Sequence, residues 1–582
     1  MPLPTFAVTT LVALAAHTAA GQDTAPRSDP RVGLKPGWTD AGEAISNLRL
    51  VAHRSRPEGF VNPQNRGDFG VANADLAFRG DLLFLGGFHG VQIWDTAPPA
   101  IPTLRARLVC PGGQGYVSVY RNLLFMSVEE TRGRVHCGTQ GVPDTASAAR
   151  FRGVRIFDIS NVERPRQVAA VQTCRGSHTH TLVTDPRDAA TVYIYVSGTS
   201  PVRPASELAG CSGRAPDEDS TTAYFRIEII RVPLAAPQAA GIVNAPRIFA
   251  DSTGNIAGLW PGGRHGPGTQ FTDVTDQCHD ITAYSAIGLA AGACSGNGIL
   301  LDISDPVNPR RIDEVSDPNF AYWHSATFNN DGSTVLFTDE WGGGVAPRCR
   351  VTDRPEWGAN AIFRLQDREM RLASYYKLPA AQTAVENCVA HNASLVPVPG
   401  RDIMVQAWYQ GGISLFDFTD PEDPYEIAYF DRGPMDTTLV LGGHWSAYWY
   451  NGHIYASEIG RGLDVFALTP SEFLSENEIA AAALVRDSLV NAQHQTRIVW
   501  PARFVVARAY LDGLVRADGL RRPWAQAIYA ELARVVALPA GAARRRALMR
   551  LAVQLAADAR SASDEKRVAA LADLVRRLAS AP

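Results

Sequence analysis

The sequence predicts a seven-bladed β-propeller followed by a helical C-terminal region, and three observations support this prediction. A strand–turn–strand segment recurs through the first 470 residues, and seven blade starts can be counted there. From Ser471 onward the apolar residues change from a period of two to a helical period. We therefore expect a mainly β repeat protein with an α-helical tail or small helical domain.

Each repeat consists of a glycine, a run of β-branched or aromatic residues, and an aspartate that begins a turn. The run favours a β-strand, and the aspartate with the Pro-containing residues after it favours a tight turn. Four copies match this pattern: Gly90–Asp95, Gly153–Asp158, Gly298–Asp302 and Gly412–Asp417. A second hairpin precedes each copy, so two hairpins form a four-stranded blade. The blades are predicted to begin near Ala72, Gly113, Ser177, Cys278, Tyr322, Val389 and Gly442.

The seventh blade lacks an outer strand before the tail begins. The stretch Asn47–His53 has the alternation of a strand and precedes the first blade. A propeller can close by letting an N-terminal strand complete its last blade, which removes the exposed sheet edges. We therefore predict that this stretch closes the ring.

The repeat resembles that of the LVIVD-repeat family over residues 47–468. Its aspartate corresponds to Asp95, Asp158, Asp302 and Asp417. The third and fifth blades depart from the motif at Ile227–Arg231 and Ala361–Leu365. The resemblance implies a secreted or surface-exposed bacterial propeller and carries little information about biochemical activity.

The predicted organisation begins with a signal peptide at residues 1–20, where an apolar run, Phe6–Ala16, precedes small residues but no basic segment comes before it. A linker at 21–45, a propeller at 46–470 and a helical region at 471–582 follow. No other stretch is long and apolar enough to span a membrane. The expected location is secreted, periplasmic or at the cell surface.

The eight cysteines also favour export, because they are even in number and none forms a CxxC pair. Structural disulfides are the expected outcome, and they would hold long loops around one face of the propeller. We predict sequential pairing: Cys110–Cys137, Cys174–Cys211, Cys278–Cys294 and Cys349–Cys388.

The charge distribution argues against a nucleic-acid-binding protein. The net charge of −4 divides into +6 from Ser471 onward and −10 over the rest of the chain. An acidic propeller without a basic stripe does not match a polyanionic partner. The expected partner is a small-molecule or protein ligand at the propeller mouth.

Histidines recur at one position of the repeat, the start of the innermost strand of five successive blades. These residues are His178, His279, His324, His391 and His444, and His180 follows two residues after His178. Innermost strands line the propeller axis and begin at the same face, so the imidazoles are expected to converge. Neighbouring strands end in acidic residues at that face: Glu129, Asp339, Glu340 and Glu458.

Three interpretations of these histidines are open: a metal site, hydrogen bonds that latch neighbouring blades, or a metal-free binding or catalytic pocket. Neutral imidazole binds copper, iron, zinc or manganese, and nearby carboxylates can orient the rings or accept protons. Alternatively, each ring forms a hydrogen bond to the backbone of a neighbouring blade. Nucleophile elbows, Walker loops and HExxH motifs are absent from the sequence.

Three functions follow from these interpretations. The first is an exported binding scaffold with a histidine-rich metal site at its axial mouth. The second is a metal-dependent oxidoreductase or hydrolase that uses Glu129, Glu340 or Glu458 as a proton acceptor. The third is a metal-free structural or cell-surface interaction protein.

Overall fold

The structure, a computed structural model, describes residues 29–580, so the predicted signal peptide lies outside the described residues. Two strands, β1 (Glu43–Ser46) and β2 (Leu48–Ser55), precede the blades. Seven antiparallel sheets then follow one another along the chain, which confirms the predicted seven-bladed propeller. In each blade the first strand in sequence lies nearest the central axis.

The blades follow the chain in order, and each contributes four or, in the seventh, three consecutive strands. Blade 1 contains β3 (Asn73–Arg79), β4 (Leu82–Gly87), β5 (Gly90–Asp95) and β6 (Thr103–Val109), and blade 2 contains β7 (Val117–Tyr120), β8 (Leu123–Val128), β9 (Gly153–Asp158) and β10 (Arg166–Gln172). Blade 3 contains β11 (Thr181–Asp185), β12 (Asp188–Val196), β13 (Glu228–Pro233) and β14 (Gly241–Asn244). A small hairpin of β15 (Gly263–Arg264) and β16 (Phe271–Thr272) precedes blade 4, which contains β17 (Asp280–Tyr284), β18 (Leu289–Cys294), β19 (Asn297–Asp302) and β20 (Arg310–Val315). Blade 5 contains β21 (Trp323–Phe328), β22 (Thr334–Asp339), β23 (Asn360–Gln366) and β24 (Glu369–Tyr376). Blade 6 contains β25 (Ala393–Val396), β26 (Ile403–Ala407), β27 (Ile413–Asp417) and β28 (Tyr425–Arg432). Blade 7 contains β29 (His444–Tyr450), β30 (His453–Glu458) and β31 (Gly462–Leu468).

The residues of the repeat explain the turn between the third and fourth strands. Asp95 ends the third strand of blade 1, and its carboxylate accepts a hydrogen bond from the Ala97 backbone at 3.0 Å. Asp158 does the same for Ser160 at 2.9 Å. This is the side-chain turn that aspartate favours. The glycine at the start of the strand is equally constrained, because Gly153 has φ +144° and a Cβ there would lie 2.1 Å from the Val171 carbonyl oxygen.

The ring is closed from the N-terminal side, as predicted. Strand β2 pairs antiparallel with β31, from Leu48 opposite Leu468 to Ser55 opposite Gly462, and so completes blade 7. Strand β1 pairs with β28 and adds a fifth strand to blade 6. Part of the stretch predicted as a linker therefore belongs to the propeller.

The C-terminal region is helical as predicted, but one part of it returns to the propeller. Its elements are α1 (Glu476–Ala482), β32 (Leu489–Asn491), α2 (Phe504–Arg516), α3 (Arg522–Ala537), α4 (Ala542–Ala559) and α5 (Glu565–Ser580). Helix α1 begins with a capping box, in which Ser475 and Glu478 each bond the other's backbone N–H. Among residues 29–580, no helix is both long and apolar enough to cross a membrane.

Residues 489–498, the plug segment, cross the end of the central channel at which the innermost strands finish. Strand β32 pairs with β3, the innermost strand of blade 1. The Asn491 amide bonds both the N–H and the C=O of Val119 in blade 2, at 2.7 and 2.9 Å. The Gln495 amide does the same for Phe328 in blade 5, at 3.0 and 2.8 Å. The plug segment thus satisfies inner sheet edges that would otherwise be unpaired.

A buried ionic network joins the helices to blade 6. Arg401 lies between β25 and β26 and contacts Asp417 at 2.8 Å and Glu478 of α1 at 3.1 Å. Arg516 at the end of α2 forms two bonds to the same Glu478, at 2.7 and 2.6 Å. Each buried charge has an opposite partner, which offsets the cost of its desolvation, and the network fixes how the helices dock.

Candidate metal centre at the axial mouth

Four imidazoles lie side by side at the axial mouth, the end of the channel where the innermost strands begin. They belong to blades 3, 4, 5 and 6. The ring centroids are separated by 4.5 Å between His178 and His279, 3.9 Å between His279 and His324, and 4.4 Å between His324 and His391. The repeat therefore brings four of the six predicted histidines together.

Three side chains of this row are arranged to hold a metal ion. One ligand atom each of His279, His324 and Glu340 lies within 4.8 Å of the others. All three are buried, with 7%, 0% and 5% of their surface exposed. His279 and His324 start the innermost strands of blades 4 and 5, and Glu340 follows directly after β22. Two imidazoles with one carboxylate form a ligand set of catalytic zinc and non-haem iron sites.

The hydrogen bonds at the outer side of two rings determine which nitrogen faces Glu340. His391 Nδ1 lies 2.5 Å from the carbonyl oxygen of Trp445, which can only accept, so Nδ1 carries the proton. Burial lowers the pKa of His391 to about 3, so the ring is neutral and its Nε2 has a free lone pair. In His324, Nδ1 lies 3.3 Å from the Thr338 hydroxyl.

These Nε2 atoms point at a carboxylate without bonding it. His391 Nε2 is 3.5 Å from Glu340 Oε1, and His324 Nε2 is 3.7 Å from Oε2. Neither nitrogen has a hydrogen-bond partner, nor does Nδ1 of His279. The free lone pair of His391 Nε2 faces the buried Glu340 side chain without a shared proton, which is unfavourable, and a bound cation would relieve this arrangement.

When no ion is bound, the electrostatics of His324, His391 and Glu340 favour their uncharged forms. Burial lowers the pKa of His324 far below its ordinary value, and the neighbouring imidazoles add to the effect. Burial also raises the pKa of Glu340, although the Tyr409 hydroxyl donates a hydrogen bond to it. A divalent cation would reverse the effect on Glu340, because it stabilises the carboxylate, and would reinforce the effect on His324, because it binds the neutral imidazole.

Glu129 and His178 form a separate pair beside the triad. His178 Nδ1 is 2.6 Å from Glu129 Oε1, and the Thr199 hydroxyl donates to Oε2 at 3.1 Å. Burial acts to lower the pKa of His178, but Glu129 outweighs it and raises that pKa above the ordinary value. The same contact lowers the pKa of Glu129 against the effect of burial. The pair therefore favours a charged imidazolium and carboxylate.

His180 and His444 do not join the row. His180 bonds the hydroxyls of Ser118 at 2.6 Å and Ser127 at 2.8 Å. The expected side-by-side placement with His178 fails because β11 begins only at Thr181, so the alternation of a strand does not apply to these residues. His444 Nε2 lies 3.1 Å from Asp464 Oδ2, and its ring packs near Phe430, between blades 6 and 7.

Two of the four predicted acids are likewise engaged elsewhere. Asp339 accepts backbone hydrogen bonds from Ala321 and Tyr322 at 3.0 Å and from Gly358 at 2.9 Å. Glu458 bonds the Arg461 backbone and guanidinium and the Gly443 backbone. Both carboxylates hold loop backbone in place, whereas Glu129 and Glu340 lie in the row.

Two polar contacts at the row were not anticipated. Tyr409, which bonds Glu340, lies in a turn after β26 and has a left-handed backbone with φ +53°. Asp280 follows His279, and its Oδ1 lies 3.3 Å from His279 Nδ1, while its Oδ2 accepts from Gln493 of the plug segment at 2.6 Å. Adjacency to His279 could have indicated Asp280, but nothing in the sequence connects Gln493 to this site.

A pocket of about 400 Å³ opens above the row to solvent. Its wall is formed by loops on the mouth side of all seven blades and by the row residues His178, His279 and Glu340. The lining residues are Phe69, Phe88, Gln114, Glu129, His178, Thr199, Ser200, His279, Tyr322, Glu340, Gly343, Gly344, Val345, Asn387, Tyr409, Leu441, Trp445 and Ile459. Of the triad, His279 and Glu340 line this pocket, whereas His324, at 0% exposed, lies beneath the lining.

The disulfides flank the same end of the propeller. The structure contains the four sequential pairs that were predicted. Cys278 immediately precedes His279, and Cys388 lies three residues before His391. The covalent links therefore restrain the backbone next to two imidazoles of the row. Four disulfides are consistent with a non-cytoplasmic location.

Comparison with known proteins gives weak similarities only. No family model and no curated protein matches the chain. A periplasmic gluconolactonase of Pseudomonas aeruginosa is 11% identical with a TM-score of 0.41, over 74% of this chain and 98% of that one. A putative 6-phosphogluconolactonase of Bacteroides fragilis is 9% identical with a TM-score of 0.39, over 68% and 89%. At this low similarity, the activities named for those proteins are not carried over to this chain.

Proposed function

We propose that this protein is an exported, metal-dependent hydrolase that binds Zn²⁺ through His279, His324 and Glu340. The observation that carries the proposal is the cluster of ligand atoms: one atom each of His279, His324 and Glu340 lies within 4.8 Å of the others, and the unbonded His324 Nε2 is 3.7 Å from Glu340 Oε2. Structural zinc sites are closed by four protein ligands, whereas catalytic sites keep a position for water or substrate. A three-residue set below an open pocket belongs to the second kind.

The residues beside the triad supply what hydrolysis needs in addition to a metal. A bound Zn²⁺ would lower the pKa of a water ligand and polarise a carbonyl group. The Glu129–His178 pair lies at the pocket wall and can exchange a proton with the attacking water or the leaving group. Glu340, the other predicted proton acceptor near the row, serves as a ligand in this proposal.

Two alternatives are supported by single observations. The same ligand set is used by Fe²⁺ enzymes, so bound iron would favour the oxidoreductase prediction. The His391–Trp445 hydrogen bond crosses from blade 6 to blade 7 and favours histidines as interblade contacts in a metal-free interaction protein. The metal content of the protein distinguishes all three functions.

The test is elemental analysis of the full-length protein isolated from the compartment to which it is exported. We expect about one zinc ion per chain, and about a 100-fold weaker zinc affinity in His324→Ala and Glu340→Gln. His136→Ala, which removes an exposed histidine outside the row, is the control. Stoichiometric iron would replace the hydrolase proposal, and a folded, disulfide-bonded protein without metal affinity would refute both enzyme functions.

A further inference from the structure

The wall of the mouth pocket has two chemically different halves. On one half Phe69, Phe88 and Trp445 form a continuous aromatic surface, with ring centroids 4.7 Å apart for the first two and 6.4 Å for the last two. Leu441 and Ile459 extend this surface. Such a surface favours a flat apolar group, since aromatic side chains contribute large contact areas.

The other half is polar and carries no positive side chain except histidine. Glu129, His178, Thr199 and Ser200 line it, and Glu340 lies at its base. Among the lining residues described, none is lysine or arginine. A phosphate or carboxylate of a ligand would therefore meet two carboxylates and no guanidinium, although arginine is the usual partner of such groups.

The nearest arginines do not make the pocket wall positive, because each already forms an ion pair with a carboxylate. Arg175 contacts Asp276 at 3.3 Å and donates to backbone carbonyls of Thr199 and Ser200. Arg132 forms an ion pair with Glu130. Recruiting the buried Arg175 would leave the Asp276 carboxylate without its partner, whereas the Arg132–Glu130 pair is a surface pair that contributes little, and Arg132 also donates to the Phe88 carbonyl.

One buried polar atom of the wall remains available to a ligand. Gln114 is 2% exposed, and its Oε1 has no hydrogen-bond partner in the structure. An amide oxygen accepts hydrogen bonds from hydroxyl or amide groups and repels anions. It therefore favours a neutral donor group beside the aromatic surface.

We infer that the pocket binds an uncharged molecule that combines an aromatic or alicyclic ring with a neutral oxygen function, and that it discriminates against anionic ligands. This inference rests on the proposed function in one respect, since it names the substrate class of the same site. The pocket wall exists without the metal, so the two proposals can fail separately.

The test uses the 6-hydroxy derivatives of 2-acetylnaphthalene and 2-naphthoate, which carry the same neutral hydroxyl donor, are similar in size and differ in charge. Dissociation constants are measured by ligand-observed NMR with the full-length, chelator-treated protein, so that no metal attracts the carboxylate. We expect the ketone to bind at least ten-fold more tightly. Equal or tighter binding of the naphthoate would overturn the inference, and so would zinc binding to a protein that binds neither probe.

Two pairs of variants locate the binding at this pocket. Trp445→Leu should weaken ketone binding about ten-fold, whereas Trp524→Leu, at a 37% exposed tryptophan of α3, should leave it unchanged. Val345→Arg places a guanidinium at the rim and should strengthen naphthoate binding about ten-fold; Val351→Arg, outside the lining, should not. If the two variants of either pair have the same effect on binding, the probes bind elsewhere and the inference is wrong.

Discussion

The two ends of the central channel solve the same physical problem in different ways. At the closed end, Asn491 and Gln495 of the plug segment bond both backbone groups of the strands they face. At the mouth, His279, His324 and His391 each keep a buried nitrogen without a partner. The chain can therefore pair the polar groups along its axis, and at the mouth it leaves them unpaired.

This difference is why the proposed metal site is assigned to the mouth. An unpaired buried polar group costs about 1–3 kcal/mol, so several around one carboxylate are expensive unless a ligand completes them. The closed end also has unpaired atoms, Oε1 of Gln493 and Nδ1 of His494, but the Gln493 amide nitrogen already bonds Asp280, and among the described residues no pair of imidazoles faces an acid there. Convergence around Glu340, rather than the number of unpaired atoms, is what distinguishes a site from imperfect packing.

The largest loss of stability is expected for a substitution that removes hydrogen bonds of the plug segment at the closed end. Asn491→Leu removes two hydrogen bonds and leaves the buried N–H and C=O of Val119 unpaired. The free energy of unfolding should fall by about 3 kcal/mol, measured by urea unfolding of the metal-free protein. The exposed Asn65→Leu is the control. Equal stability of both variants would show that the plug segment contributes little.

A smaller loss of stability is expected at the closed end when the pH is lowered. Burial lowers the pKa of His494 to about 4, against about 6.5 in an unfolded chain, so the unfolded state binds protons more strongly below pH 6.5. Stability should therefore decrease between pH 7 and pH 5, and this residue should account for about 2 kcal/mol of the decrease. His494→Gln should flatten the unfolding free energy against pH, whereas His136→Gln should not. An unchanged slope in His494→Gln would contradict this assignment.

At the mouth, a substitution that removes the metal should stabilise the metal-free chain. In Glu340→Gln the new amide N–H can donate to one of the imidazole Nε2 atoms, and a buried acid is lost. We expect a gain of about 1 kcal/mol in the free energy of unfolding. Glu129→Gln should act in the opposite direction, because it breaks the ion pair with His178. Destabilisation by both changes would mean that Glu340 has a structural role.

The smallest effect is expected for Gln114→Leu. Its amide oxygen has no partner, so an apolar side chain of similar size removes a desolvated group without breaking a bond to that atom. The free energy of unfolding should change by less than about 0.5 kcal/mol. A cost comparable to that of Asn491→Leu would show that the mouth is held together like the closed end, and would remove the contrast between them.

The blades and most of the histidine row could be predicted because they follow a repeat. The Gly-to-Asp segment encodes a strand with a defined turn, and a residue at the same repeat position in successive blades reaches the same part of the axis. His444 occupies that repeat position and still turns away, because Asp464 of its own blade provides a charged partner. Repeat position predicts the neighbourhood of a side chain but not the partner it selects.

The plug segment could not be predicted for a different reason. Asn491, Gln493 and Gln495 alternate in a short polar stretch between helices, which in sequence is indistinguishable from a linker. Their partners lie far away in the chain: Asn491 and Val119 are separated by 372 residues. No local propensity encodes such contacts, because they arise only after the ring has formed.

The position of the plug segment has a consequence for biosynthesis. The ring is closed by residues near the start of the chain and the channel by residues 489–498, so both steps need segments made at widely separated times. A nascent chain that already contains all seven blades still lacks the amide that bonds Asp280, next to His279. Products of premature termination before Gln493 would carry every histidine of the row and still lack this hydrogen bond, so the surroundings of His279 are completed only after the plug segment has been synthesised.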